Sequence, residues 1–301
     1  RQFKTIKVEV NTSMATQHIA LYGKGGVGKT TLATNIGAAL AEAGFKVLLV
    51  GCDPKGDTSA LLNNGRPLPD VLGMIRRKER VSLSRIVHTR CKGISCVELG
   101  NPYQPGVCAS LEISRGFQEL LRIGLFENTC TDIVIYDVTG DSSCADQLGP
   151  IRQQGLDRLF VVTSADFMSL NATNSIFALT EARDNGSPLL RIGGLIPNNI
   201  TSSFEESFII DFARNTGSKT FGKIPRSPMI RQCELYGKTI IEAAPLSNQS
   251  YYYRRVANQI VDDLHSKKHG VSPRPMTSDE LRSWGREWGD RIYAMENGLV
   301  T

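Results

Sequence analysis

The chain has 301 residues, of which 41 % are hydrophobic and 22 % charged, with a formal net charge of +5. That balance suits a globular protein of one large domain or two small ones. It contains no apolar run of about 18 residues, so no membrane-spanning helix is expected. The start lacks the charged, apolar and small-residue pattern of a signal peptide, so a cytoplasmic location is expected. The basic residues are scattered, as at Arg76-Arg77-Lys78 and Lys267-Lys268-His269, and read as a solvated face rather than a nucleic-acid surface.

Residues 1–16 read as an N-terminal extension, with Met14 as a possible natural start and a short alternating run at Ile6, Val8 and Val10. From 17 to 266 strand and helix patterns alternate, which predicts an α/β domain. Its sheet is mostly parallel, with helices on both faces. Apolar strands are predicted at 18–23, 45–53, 131–138, 157–164 and 191–198. An amphipathic helix is predicted at 30–44, and others at 69–78, 111–123, 168–184, 204–215, 229–237 and 249–266. Residues 267–301 form a linker with prolines at 273 and 275, then a helix over 277–296. Thr277 or Ser278 caps that helix, and Leu281, Trp284, Trp288 and Ile292 recur at helical spacing, as a stripe that packs on the parent domain or on a second subunit. Its acidic residues, among them Asp279 and Glu280, argue against an anionic membrane surface.

The first strand runs into Gly23-Lys-Gly-Gly-Val-Gly-Lys-Thr-Thr31, a phosphate-binding loop of the P-loop NTPase fold. The backbone of Gly25, Gly26, Val27, Gly28 and Thr31 would wrap phosphate at a helix N-terminus. Lys29 would reach the β- and γ-phosphates of ATP, and the Thr30 hydroxyl would ligate Mg²⁺. The additional Lys24 marks a subclass that works as homodimers, with this lysine reaching nucleotide across the interface. One strand later comes Gly51-Cys-Asp53-Pro-Lys55-Gly-Asp57. Asp53 and Asp57 are placed to orient water or organise the Mg²⁺ shell, and Lys55 to bridge phosphate or partner. A third segment is Asp137-Val-Thr-Gly140-Asp141-Ser-Ser-Cys144. Asp137 ends a strand where an acid binds Mg²⁺ through water, and Asp141 could accept a proton from attacking water. Such a segment changes shape when the γ-phosphate contact is lost.

Seven cysteines are present. In a reducing compartment they are core thiols, metal ligands or redox groups rather than a disulfide framework. Cys52 and Cys130 adjoin strands and read as buried fillers; Cys91 and Cys96 have the spacing of ligands but no second pair. Cys108 ends the turn Gly100-Asn-Pro-Tyr-Gln-Pro-Gly106-Val-Cys108. Two thiolates are too few for a four-iron cluster, but a symmetric dimer supplies Cys108 and Cys144 twice over. On spacing alone they are equally readable as unrelated thiols.

Taken together, YGKGGVGKTT, VGCDPKGDTS, ELGNPYQPGVC, DVTGDSSC and the late IPRSPMIRQCELYGKTIIEAAPLSNQSYYYRRVANQIVDD resemble the iron protein of nitrogenase and its relatives over about 17–265. The resemblance implies a homodimer with one [4Fe–4S] cluster bridging the subunits on Cys108 and Cys144. It implies Lys29 and Thr30 on MgATP, Lys24 across the dimer, and Asp53, Lys55, Asp57 and Asp141 around hydrolysis. Asn198 matches an adenine-contacting asparagine, and residues 225–234, with Arg226, match a second base-binding segment. The implied activity is ATP-dependent electron transfer to a larger nitrogenase-like catalytic component, with ferredoxin or flavodoxin as upstream donor.

The departures lie around the cluster. Val107 replaces a usual glycine, Leu111 a usual arginine, Ser142-Ser143 usual apolar residues and Ala145-Asp146 a usual glycine pair, while Arg231 stands where glutamine is common. They favour a divergent system such as methylthio-alkane reductase over nitrogenase proper. The tail SPRPMTSDEL instead resembles that of chlorophyllide reductase iron proteins. Protochlorophyllide and nickel-sirohydrochlorin reduction are further alternatives. A non-redox partitioning ATPase would share the loop but has no need of Cys108 and Cys144. A cluster-assembly scaffold typically carries a late C-x2-C pair, whereas the last cysteine here is Cys233.

Overall fold

The computed structural model describes residues 15–53, 55–89, 93–102, 109–138, 140, 144–181, 183–184, 187–188, 190–266 and 270–297. In chain order β1 (Gln17–Tyr22) leads through the glycine-rich loop into α1 (Lys29–Glu42) and β2 (Val47–Gly51). Next come α2 (Val71–Arg76), α3 (Leu83–Ile86), β3 (His88–Thr89) and β4 (Ile94–Glu98). Then follow α4 (Ala109–Arg122), α5 (Leu125–Asn128), β5 (Ile133–Asp137), α6 (Cys144–Gln153), β6 (Arg158–Thr163) and α7 (Phe167–Glu181). A two-stranded ribbon, β7 (Arg183–Asp184) with β8 (Ser187–Pro188), precedes β9 (Ile192–Ile200) and α8 (Ser203–Thr216). The chain closes with β10 (Ile224–Pro225), α9 (Pro228–Leu235), α10 (Ile240–Ala243), α11 (Asn248–His265) and α12 (Ser278–Glu296).

The main sheet has eight strands in the order β10-β9-β6-β1-β5-β2-β4-β3. All of its pairs are parallel except β3 with β4. Alternation along each strand splits the core in two. Val134 and Tyr136 of β5 join one apolar cluster with α4, α7 and α8, whereas Ile133 and Ile135 join the other with α1, α10 and α11. Parallel strands covered on both faces are the reason they read as continuous apolar runs.

Several elements differ from the pattern expected. β4 lies in a stretch of the sequence where no strand is expected, because Ile94-Ser-Cys-Val-Glu98 is short and interrupted by Ser95. Its pairing with β2 supplies the missing stability. α6 is also additional. α7 ends at Glu181, and residues 183–184 turn into the ribbon instead of continuing the helix. α1 is buried nearly all round, not on one face only, because α10 and α11 cover the side away from the sheet. Cys52 is buried as expected, but Cys130 is exposed in a left-handed turn (φ 46°). Cys96 is a core thiol that donates to the His88 carbonyl, and Cys91 lies outside the described residues.

The tail helix α12 packs on the main core. Leu281, Trp284 and Trp288 are buried, while Ile292 is part of an exposed edge. Both indole N–H groups donate to Asp211 Oδ2, at 2.9 and 3.0 Å, and the rings stack on and cross Phe204, Phe208 and Phe212. Thr277 is the cap, in a reciprocal capping box with Glu280. Among the described residues no helix is long and apolar enough to cross a membrane.

Candidate nucleotide site and switch

The loop between β1 and α1 lies beyond the carboxyl ends of the central strands, where open α/β sheets bind ligands. Gly28 is the N-cap of α1 with φ 92°, a left-handed backbone that favours glycine. A Cβ there would lie 2.6 Å from Asn198 Nδ2, which donates to the Val27 carbonyl at 2.7 Å. α1 begins with no side-chain cap and no acidic residue in its first turn. Its first N–H groups are thus left for an outside acceptor, which is the electrostatic requirement for phosphate. Lys29 is buried, with its ammonium donating to the Lys24 carbonyl across the loop at 3.2 Å. Lys24, Gly25 and Gly26 are exposed. Beside the loop opens a cavity of about 500 Å³ lined by Gly26, Thr31, Asn198, Arg226, Arg231 and Glu234 among others. The Thr31 hydroxyl donates to Glu234 Oε1 at 2.6 Å and so ties the loop to α9. Arg226, Arg231 and Glu234 are exposed, while Asn198 is buried. This cavity and the glycine-rich loop are therefore contiguous.

At the end of β5, Asp137 is fully buried. Its Oδ2 accepts from Thr30 Oγ1 at 2.7 Å and from Thr58 Oγ1 at 2.8 Å. Its Oδ1 has no hydrogen-bond partner. Burial pushes its carboxyl up to about 6, against the opposing pull of the Thr30 and Thr58 hydroxyls and of Lys29. An orphan carboxylate oxygen, a threonine hydroxyl and a phosphate cradle form a hard-oxygen donor set that fits Mg²⁺. A divalent cation would also restore Asp137 to its charged form.

Asp53, Lys55 and Asp57 sit on the turn after β2. Asp53 Oδ1 accepts the Lys55 N–H at 2.9 Å, and Lys55 and Asp57 are exposed. Gly140 packs directly on the loop: a Cβ there would stand 1.8 Å from the Gly23 carbonyl oxygen. The segment after β5 is thus in contact with the phosphate cradle before it reaches α6, which begins at Cys144. Asp141 and Cys108 lie outside the described residues, and of Cys144 only its place at the start of α6 is described.

One buried acid escaped sequence reasoning. Glu98 ends β4 and is fully buried; Oε1 accepts the Ser59 N–H at 2.6 Å and Oε2 has no partner. Burial raises its carboxyl to about 7, with Asp137 and Asp57 pushing in the same direction. A lone glutamate carries no motif, and only the pairing of β4 with β2 brings it beside Gly51 and the Thr58–Ser59 turn.

A family model described as "4Fe-4S iron sulfur cluster binding proteins, NifH/frxC family" matches residues 17–289. Nitrogenase iron protein 2 of Paenibacillus durus is 40 % identical over 287 residues, covering 95 % of this chain and 96 % of that protein. The nitrogenase iron protein of Methanospirillum hungatei JF-1 is 39 % identical over 276 residues, covering 90 % and 96 %. Among solved structures, the septum site-determining protein MinD complexed with Mg-ADP from Pyrococcus horikoshii OT3 superposes with a TM-score of 0.64 at 18 % identity, covering 84 % of this chain and 100 % of that one. The MinD cell division protein of Aquifex aeolicus gives 0.62 at 21 %, covering 82 % and 98 %. Those two likenesses establish the P-loop ATPase fold and nothing of activity. The match over nearly the whole chain, together with a phosphate cradle joined through Asp137 and Gly140 to a cysteine-bearing helix, places the chain in the NifH/frxC family of 4Fe-4S iron-sulfur cluster binding proteins, ATP-hydrolysing oxidoreductase components that bind MgATP.

Proposed function

We propose that this chain is the homodimeric iron protein of a nitrogenase-like enzyme, passing electrons to a larger catalytic component as it hydrolyses ATP. The observation that carries this is the continuity of the switch. Asp137 holds Thr30 and Thr58, Gly140 lies against the Gly23 carbonyl, and Cys144 opens the next helix. A change at the γ-phosphate would move a segment that ends on a cluster ligand.

In this reading Lys29 and the Gly25–Thr31 backbone hold the phosphates, Thr30 with Asp137 holds Mg²⁺, and Lys24 reaches the partner subunit's nucleotide. Asp53, Lys55, Asp57 and Asp141 surround the attacking water, and Asn198 and Arg226 flank the base. Cys108 and Cys144 of both subunits hold one [4Fe–4S] cluster, which supplies a one-electron couple when bound. Ferredoxin or flavodoxin would reload it.

The favoured partner is a methylthio-alkane reductase. Support comes from the departures around the cluster: Leu111 stands 66 % exposed on the first turn of α4, an apolar contact where relatives carry an arginine. Chlorophyllide reduction is the second reading, on the likeness of the SPRPMTSDEL tail. A partitioning ATPase would share the fold but gives Cys108 and Cys144 no task.

The test is anaerobic. Iron and sulfide are counted per chain and the dithionite-reduced protein is examined by EPR. About two irons per chain with a reduced [4Fe–4S] signal is the expected result for one cluster per dimer. Metal-free protein that still hydrolyses ATP after reconstitution would overturn the redox reading. Mixing the loaded protein with purified catalytic components, and following methylthio-alkane against chlorophyllide consumption, decides the partner.

A further inference from the structure

A second cavity, of about 730 Å³, lies between α8, α12 and the start of α7, and shares Ala165 and Glu205 with the cavity beside the glycine-rich loop. Its wall is made by Phe167, Phe204, Phe208, Trp288, Ile292 and Met295. That size and apolar lining are those of a site for a small organic molecule. The aromatic part of the wall is already fixed by its own packing. Trp288 meets Phe204 and Phe208 edge to face, with ring centroids 5.2 and 5.1 Å apart, and its indole N–H is taken up by Asp211. It therefore offers the cavity ring carbon and no unpaired donor.

Two glycines of α12, Gly285 and Gly289, lie one turn apart on the lining. Glycine inside a helix costs stability relative to alanine, because its backbone loses more freedom on folding. At Gly285 packing accounts for it: a Cβ would stand 2.8 Å from the Phe167 ring. At Gly289 packing does not, since a Cβ would meet nothing within 4 Å. What that glycine leaves is room in the cavity. The charged residues on the lining are Glu205, Arg282 and Arg286. Glu205 accepts the Thr201 N–H at 2.5 Å, and Arg282 lies 3.8 Å from Asp279. Arg286 has no hydrogen-bond or ion-pair partner among the described residues. Arg291 adds a further positive charge, 4.7 Å from the centre of the Trp288 ring. The rim of the apolar wall thus carries an unanswered cation.

We infer that this cavity binds a small amphipathic anion, with its apolar body on the Phe204–Phe208–Trp288 wall and its carboxylate or similar head on the Arg286 guanidinium. The planar fork of arginine suits such a head, which it can hold through two parallel hydrogen bonds. An apolar molecule alone would leave Arg286 unanswered, and a bare anion would leave the wall against water. Nothing in this recognition depends on the cluster or on ATP hydrolysis, so it is independent of the proposed iron-protein reading.

The experiment uses the full-length, nucleotide-free protein and anilinonaphthalene sulfonate, an aromatic anion that fluoresces on leaving water. Dodecanoate and dodecylammonium, both below their micelle concentrations, are the competitors. A cooperative thermal transition is recorded first for each variant, so that dye taken up by a loosened chain is not counted. The expected result is saturable dye binding, displaced by dodecanoate and not by dodecylammonium. Arg286→Glu should weaken the dye about tenfold or more, the scale of one charge-assisted contact. Gly289→Leu fills the cavity from the helix and should abolish binding while the thermal midpoint is kept or raised. Should Gly289→Leu fail to fold, Arg286→Glu, a change at an exposed side chain, carries the test. Absence of saturable binding, full affinity in Arg286→Glu or in folded Gly289→Leu, or equal displacement by dodecylammonium would each overturn the inference.

Discussion

Two buried carboxyls, Asp137 and Glu98, flank Gly51 at the ends of their strands. Both titrate above their ordinary range, at about 6 and about 7, chiefly because burial disfavours the charged form. The folded state thus binds protons that the unfolded chain has already released, so without nucleotide or metal stability falls as pH rises through that window. For Glu98 the window runs from its ordinary value of 4.5 to about 7, worth on the order of 3 kcal/mol. Glu98→Gln should therefore gain stability over wild type on going from pH 5 to pH 8, which urea unfolding of the metal-free, nucleotide-free protein would show. A gap that stays constant with pH would refute it. At the phosphates, Lys29→Ala should weaken MgATP binding about 10- to 100-fold, the scale of one charge-assisted contact, while leaving iron content unchanged. Titration calorimetry beside iron analysis checks both halves. Cys144→Ser and Cys108→Ser should each abolish the reduced-cluster EPR signal and leave nucleotide affinity intact; a signal surviving both substitutions would remove the ligand assignment.

Among the elements, the close approach of the switch to the phosphate loop depends on Gly140. With Gly23 O only 1.8 Å from where a Cβ would stand, Gly140→Ala must push strand end and loop apart. Overpacking of this kind costs about 1–3 kcal/mol. The expected outcome is weaker MgATP binding together with a lower urea midpoint, and unchanged binding would place the switch elsewhere. The tail helix α12 makes a different contribution. Trp288 is 5 % exposed, packs on Phe204 and Phe208, and shares Asp211 with Trp284. Trp288→Ala should cost about 3–5 kcal/mol by loss of a buried aromatic, read as a fall in thermal midpoint. A change below about 1 kcal/mol would mean that α12 is detachable from the core.

For the molecule as a whole, the parallel sheet was legible because β1, β2, β5, β6 and β9 are long apolar runs separated by helical patterns. The short strand β4 was not, since Ile94–Glu98 has too few apolar residues to stand out from a loop without its neighbour. That omission hid Glu98, whose place beside Gly51 is set by the register of β4 against β2 and by no local motif. The stripe of Leu281, Trp284 and Trp288 announced a buried helix face, yet its receiver, the aromatic set of α8 and Asp211, is some seventy residues away along the chain. Local chemistry was complete in the sequence wherever one short segment contains all that a task needs. The glycine-rich loop carries its own backbone geometry, lysine and hydroxyl, so Gly23–Thr31 declared a phosphate site unaided. Tertiary structure alone set the row Asp137–Gly51–Glu98, the orphan oxygens on its two acids, and the seat of α12, because each depends on strand pairing and packing between segments that share no local pattern.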